Sequence, residues 1–296
     1  MPFLQLKLAT TREQAEPLSE VLDTLGALAI TLQDAQDQPI YAPGIGETPL
    51  WDQIALTALF DEHTEMPLII QDLQSHFGSS IGLHATIELI VDQAWEHTWK
   101  DDFKPQCYLN TLWVYPSWDL PAERPAHSLI LDPGMAFGTG KHPTTQLCLT
   151  WLAQNISHPE LVIDYGCGSG ILAIAALKLG AQKAYAVDND PQALTATRAN
   201  AEINEISATQ LQTYLPENLP GAQTDILIAN ILAAPLIDLA PTFAQLLKPG
   251  GKMVLSGILA EQVDTIRGVY SSWVTFDAPQ YNDEWACLSG TAKTTR

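Results

Sequence analysis

Three glycines at alternate positions carry the clearest chemical signal in the chain. The stretch Val162-Ile163-Asp164-Tyr165-Gly166-Cys167-Gly168-Ser169-Gly170 closes one apolar run and leads directly into another, Ile171 to Leu179. Glycine allows a sharp turn and a close approach of backbone to ligand, and a helix that follows offers unpaired N–H donors at its N-terminus. Asp188 ends the next apolar run, Ala184-Tyr185-Ala186-Val187, eighteen positions after Gly170. A carboxylate there accepts hydrogen bonds from both hydroxyls of a ribose. A dinucleotide site wants Gly or Ala where Ile171 stands, so the spacing is GxGxG and not GxGxxG, which weakens a NAD reading. The glycines alone would mean a tight turn; with Asp188 they point to a nucleoside-type ligand.

A second glycine-rich stretch precedes the first: Asp132-Pro133-Gly134-Met135-Ala136-Phe137-Gly138-Thr139-Gly140-Lys141-His142-Pro143-Thr144-Thr145. It is not a phosphate loop, because that pattern ending at Lys141 needs Gly at Met135 and Ser or Thr at His142. Pro143 suits the first turn of a helix running through Leu147 to Leu152. On local pattern alone the stretch is a turn and a cap. The run Asp225-Ile226-Leu227-Ile228-Ala229 ends in Asn230, where the chain leaves a buried strand.

Asp164 to Gly170 with Asp188 resembles the first two motifs of class I S-adenosylmethionine-dependent methyltransferases. The resemblance implies a glycine loop against the methionine and ribose portions of the donor and an acid on the ribose. It also implies a sheet of strand order 3-2-1-4-5-7-6. Related amide and adenine methyltransferases place Asn-Pro-Pro-Tyr at the corner where this chain has Asn230-Ile231-Leu232-Ala233, which argues against those two substrates. Over essentially its full length the chain is similar to the ribosomal protein L11 methyltransferase (PrmA) family. The likeness is carried by Phe137 to Thr145, Asn230-Ile231-Leu232 and a Trp-rich connector with Phe103-Lys104-Pro105. It implies methylation, up to the trimethyl state, of lysine side chains and the N-terminal α-amine of large-subunit ribosomal protein L11. Thr145, Gly166, Asp188 and Asn230 carry over as cofactor contacts, joined by Gly168 of the same loop; Phe137, Gly138, Thr139 and His142 carry over as a loop folding over S-adenosylmethionine.

Transfer to an amine is an in-line displacement that needs a neutral nucleophile in short, collinear approach, and it requires no metal. The acceptor begins mostly protonated, since lysine titrates near about 10.4 and an α-amine near about 7.7–8.0. Asn230 is read as orienting the amine through its side-chain carbonyl. His142 is read either as assisting proton removal or as a packing residue of the cofactor loop. Two rival readings stay open at this point: a class I methyltransferase acting on a small amine or RNA, and a non-catalytic cofactor-binding protein of the same fold.

These residues need a scaffold, and the patterning supplies one. From Ile163 onward strands and helices alternate as in a parallel sheet with crossover helices. Strands are expected at 161–165, 184–188, 209–214, 225–230 and 252–257, closed by an antiparallel hairpin of 274–280 and 285–292. Residues 3–92 read as strand, helix, strand, strand, helix, strand, with strands at 3–8, 28–33, 53–60 and 85–91 and helices near 16–25 and 67–77, the order of a split βαβ unit. The expected fold class is therefore α/β: a Rossmann-like, seven-stranded methyltransferase domain at 107–296, preceded by a small ferredoxin-like α+β domain at 1–92 that selects substrate. Trp95, Trp99 and Phe103 fall four apart on one face of an expected linker helix at 93–106.

The chain has 296 residues with 34 Asp and Glu against 14 Lys and Arg, a net charge of −20. That balance opposes general nucleic-acid binding, which needs clustered cations. Positions 1–90 hold 13 of the acids with only Lys7 and Arg12, leaving −11 in the expected recognition domain. Such a field suits a basic protein partner or simply solubility. Cys107, Cys148, Cys167 and Cys287 are scattered without metal-ligand spacing. The longest apolar windows, such as Ile226 to Ile237, fall short of a membrane helix. The expectation is a reduced, metal-free, cytoplasmic monomer with no membrane segment.

Overall fold

The computed structural model describes residues 2–36, 38, 49–78, 85–90, 103–132, 140–156 and 161–294. The chain divides into two compact units, Met1–Asp102 and Phe103–Arg296. Residues 93–102 of the expected linker helix, with Trp95 and Trp99, lie outside the described residues.

In the first unit β1 (Phe3–Thr11), β2 (Ala29–Asp34), β3 (Gln53–Asp61) and β4 (Thr86–Ile90) form an antiparallel sheet of order β2-β3-β1-β4. Alternate residues of β1 and β3 (Leu6, Leu8, Leu56, Ala58, Phe60) are buried against Leu18 and Leu22 of α1 (Arg12–Thr24) and Ile69 and Leu73 of α2 (Met66–Phe77). The period-2 pattern of these strands is what one-sided burial requires. The sequence places the start of α1 near Glu16. The helix starts at Arg12 instead, directly from the extended Thr11, and carries Pro17 inside. Burial of Ala15 together with Leu18 and Leu22 along one face offsets the backbone bond that Pro17 forfeits.

The second unit opens with a small sheet absent from the sequence reading: β5 (Gln106–Tyr108), β6 (Leu112–Tyr115) and β7 (Ser128–Ile130). After α3 (Pro143–Asn155) the chain alternates through β8 (Leu161–Tyr165), α4 (Ile171–Lys178), β9 (Lys183–Val187), α5 (Pro191–Ile203), β10 (Leu211–Tyr214), β11 (Thr224–Asn230), α6 (Ala233–Leu246) and β12 (Leu247–Leu259). It closes with α7 (Val263–Tyr270), β13 (Val274–Phe276), β14 (Gln280–Asn282) and β15 (Trp285–Ala292). The main sheet has the order β10-β9-β8-β11-β12-β15-β13, parallel through β12 and antiparallel at β15.

An eighth strand, β14, also pairs with β15, so the expected seven-stranded sheet needs a correction. The strand anticipated at 274–280 is broken into β13 and β14 around Asp277-Ala278-Pro279. Asp277 still reaches Ser289 through its backbone N–H and its carboxylate, after which Pro279 has no N–H to contribute. The tight turn is formed by Asp283-Glu284, with Asp283 at φ +52°.

Both faces of the main sheet are covered. Val162, Ile226, Ile228 and Val254 point into a core with Leu149, Leu152 and Ile174, while Ile163, Leu227, Ala229 and Leu255 point into a core with Phe243 and Tyr270. Two-sided burial explains why these strands are continuous apolar runs without alternation. It leaves their carboxyl ends as the place where polar side chains emerge.

Candidate functional site

At the carboxyl end of β8 the chain turns through Gly166, Gly168 and Gly170, all with positive φ (+80°, +52° and +77°). The first turn is pinned by the Val187 carbonyl, which accepts the N–H groups of Gly166 (2.7 Å) and Cys167 (3.0 Å). A Cβ at Gly166 would lie 2.2 Å from Ile231 Cγ2, so glycine is required there by φ and by packing. The next strand delivers Asp188 to the same place. Its Oδ2 accepts from Gly168 N (2.9 Å) and its Oδ1 from Asp190 N (3.0 Å). Those two bonds fix the carboxylate while leaving part of its roughly four acceptor directions for a ligand.

Asn230 stands at the end of β11, and its Nδ2 donates to Thr145 Oγ1 at 3.3 Å. Thr145 is buried in the first turn of α3, and its N–H donates to the His142 carbonyl at 3.0 Å. Just after Asn230, the Ile231 N–H donates to Ser256 O, and Gly257 (φ +82°) packs so closely that a Cβ would be 2.4 Å from Ile231 O.

His142 caps α3. Its Nδ1 accepts the Thr144 N–H (3.4 Å) and is bonded to Thr144 Oγ1 (2.7 Å). The imidazole meets the Trp285 ring edge-on at 4.8 Å. Burial lowers its pKa, against an opposing pull from Glu284, which favours the neutral ring. The structure thus gives His142 a capping and packing role through Nδ1.

Behind the glycine loop, Asp164 is fully buried on β8. Its Oδ2 accepts the Ala173 N–H (3.0 Å) in the first turn of α4, and its Oδ1 has no partner among the described residues. Burial pushes its pKa up to about 7, with Asp188 adding to the rise and the Ala173 bond opposing it.

One cavity of about 580 Å³ joins these parts, within the size range of about 300–1,000 Å³ of small-molecule sites. Gly166, Gly168, Asp188, Asn230 and His142 line it, and Thr145 supports Asn230 from behind. Phe137, Gly138 and Thr139 lie outside the described residues. The sequence reading did not assign the remaining wall: Thr144, Asn189, Ile231, Leu232, Pro235, Gly257 and Trp285. Their only signals are the polar residue after Asp188, the residues following the Asn230 corner, and an isolated glycine in a strand. A carboxylate beside a glycine turn, with apolar side chains in the same lining, suits a molecule that carries a ribose and an apolar or aromatic part. A larger cavity of about 710 Å³ between α5 and β10 contains none of the expected site residues.

The family model for ribosomal protein L11 methyltransferase (PrmA) matches residues 2–293. A ribosomal protein L11 methyltransferase of Pseudomonas aeruginosa is 48% identical over 290 residues, covering 98% of both chains. Its counterpart from Nitrosococcus oceani is 47% identical over 290 residues, covering 98% of this chain and 99% of that one. Among solved structures, the ribosomal protein L11 methylase of Lactobacillus delbrueckii subsp. bulgaricus superimposes with a TM-score of 0.58 at 33% identity, covering 64% of this chain and all of that one.

Proposed function

The chain belongs to the ribosomal protein L11 methyltransferase (PrmA) family, and from that premise we propose how its residues divide the work. It is an S-adenosylmethionine-dependent protein-lysine N-methyltransferase with ribosomal protein L11 as its substrate, on an α/β methyltransferase-like fold. The observation that carries the site assignment is the convergence of Asp188, the glycine loop and Asn230 on one cavity.

Bound there, S-adenosylmethionine supplies a methyl group on a positively charged sulfur. In this reading Asp188 accepts the ribose hydroxyls, held ready by the N–H groups of Gly168 and Asp190. Gly166 and Gly168 contribute bare backbone to the lining, and Ile231, Leu232 and Pro235 add the apolar surface that excludes water. Asn230, with its Nδ2 committed to Thr145, directs its carbonyl oxygen at the acceptor amine and aligns its lone pair with the transferred methyl. The proton of the acceptor leaves to solvent before attack. His142 shapes the mouth of the cavity as a neutral ring against Trp285.

The finer organisation is part of the same proposal. Residues 1–92 form a ferredoxin-like unit that selects substrate and 107–296 a Rossmann-like catalytic domain; the expected linker helix needs a correction at its end, because 103–105 are irregular and Gln106 already opens β5. The strand order β2-β3-β1-β4 and the −11 charge of the first 90 residues support the first assignment. The enzyme works as a cytoplasmic monomer without metal or nucleic acid, and it modifies the N-terminal α-amine as well as lysines, to the trimethyl state.

The test is transfer from labelled S-adenosylmethionine to ribosomal proteins of a methylation-deficient strain, with the modified residues located by mass. Label in L11 with mass increments at amines is expected. Label confined to RNA or a small amine, or no label, would refute the reading.

A further inference from the structure

We propose that Thr197 and Asn200 on α5 are positioning residues of the methyl-donor site, acting through the carbonyls of Gly168 and Ser169. The inference rests on the assignment of the glycine loop to the donor made above.

Gly166, Gly168 and Gly170 all adopt left-handed conformations, so the carbonyls between them point away from any regular ladder of hydrogen bonds. Cys167 O accepts the Gly170 N–H within the loop at 2.8 Å, and the carbonyls of Gly168 and Ser169 are oriented from α5. Thr197, fully buried, donates Oγ1–H to Gly168 O at 3.0 Å, and its Oγ1 lies 3.4 Å from Cys167 Sγ. One turn on, Asn200 donates Nδ2–H to Ser169 O at 2.8 Å. One further turn on, buried Asn204 grips both the N–H and the C=O of Ile130 at 2.7 Å, and its Nδ2 also reaches Asn200 O at 2.8 Å. Positions 197, 200 and 204 fall on one helical face. The three side chains form a polar ladder with the glycine loop at one end and β7 at the other.

The geometry around Gly168 shows what the ladder does. Its peptide N–H is held by Asp188 and its C=O by Thr197, so the loop is clamped between the ribose-binding carboxylate and the face of α5. The same helix begins at Asp190, whose side chain accepts from Gln192 N and whose own N–H bonds Asp188. α5 therefore fixes Asp188 at its N-terminus and the opposite side of Gly168 along its length. Contact with Thr197 also dictates Gly170, where a Cβ would be 2.6 Å from Thr197 Cγ2. Neither Thr197 nor Asn200 lines the cavity, so neither touches the reacting atoms. Their contribution is to hold the loop in its binding conformation before the donor arrives, which reduces the ordering cost of binding.

The test uses the full chain with L11 and S-adenosylmethionine. Thr197→Val keeps the shape and deletes the donor; Thr197→Ser keeps the donor and deletes the methyl. Valine is expected to raise the Kd and KM for S-adenosylmethionine about 5- to 10-fold, as loss of one hydrogen bond allows, with kcat at saturating donor and KM for L11 unchanged. Serine is expected to restore donor affinity to within about twofold of wild type, and Asn200→Ala, which carries the test if the valine variant does not fold, to behave like valine. Unchanged donor affinity in both Thr197→Val and Asn200→Ala would overturn the proposal. So would a serine variant as impaired as valine, or a fall in kcat at unchanged affinity. The wild-type chain run alongside separates the two levels: if it neither binds S-adenosylmethionine nor methylates L11, the functional reading itself fails.

Discussion

Replacing Asp164 by Asn should change how stability depends on pH. The wild-type carboxyl is fully buried, with Oδ2 on Ala173 N and Oδ1 without a partner among the described residues. Its reference pKa is 3.8 and burial pushes it to about 7 in the fold. Between those values the folded state binds more protons than the unfolded state, so stability falls as pH rises. The contribution is fully present below pH 3.8 and lost by the time pH has risen through about 7. At about 1.4 kcal/mol per pH unit the gap is worth about 4 kcal/mol, of which about 2–3 kcal/mol falls between pH 5 and 8. Asparagine preserves an acceptor for Ala173 and has no charge to bury. Urea denaturation followed by tryptophan fluorescence, with five of the eight tryptophans in the second unit, measures both proteins across this range. The variant is expected to gain about 2–3 kcal/mol over wild type from pH 5 to pH 8. Parallel curves for the two proteins would refute the reasoning, because the buried charge would then cost nothing.

Other outcomes follow from the same geometry. Asp188→Ala removes both ribose hydrogen bonds, and S-adenosylmethionine affinity should fall about 100-fold or more by calorimetry; unchanged affinity would take Asp188 out of the site. Gly166→Ala sets a Cβ 2.2 Å from Ile231 Cγ2 at φ +80° and should destabilise the second unit by about 2–4 kcal/mol, read as a lowered urea midpoint. An unshifted midpoint would mean that the corner yields freely. If the −11 charge of the first 90 residues draws in a basic substrate, the KM for L11 should rise several-fold between low and high salt while donor affinity holds. A salt-insensitive KM would return those carboxylates to a role in solubility.

How much of this was legible beforehand depends on how local each feature is. The strands β8, β9 and β11 were readable because burial on both faces writes them as uninterrupted apolar runs, ended by Gly166, Asp188 and Asn230. The strands β5, β6 and β7 span only three or four residues each, too short for any period to show. The break between β13 and β14 and the early start of α1 went unread for a related reason. Pairing of the two halves with different parts of β15 decides the first and burial of Ala15 the second, and neither is a property of the segment alone.

By itself, then, the amino-acid sequence determined the chemistry that depends on neighbours in the chain: glycines where the backbone must be left-handed, an acid one strand later, an amide at a strand end. Tertiary structure alone decided what those groups face. Trp285 and Gly257 join the cavity only because β12 lies beside β11 and β15 beside β12 in the sheet. His142 becomes a cap with a committed Nδ1, and Thr197 and Asn200 become the clamp on the glycine loop. Asp164 acquires its displaced pKa in the same way. A carboxyl group has no preference for its neutral form until other elements remove it from water, and that removal is a property of the packed fold.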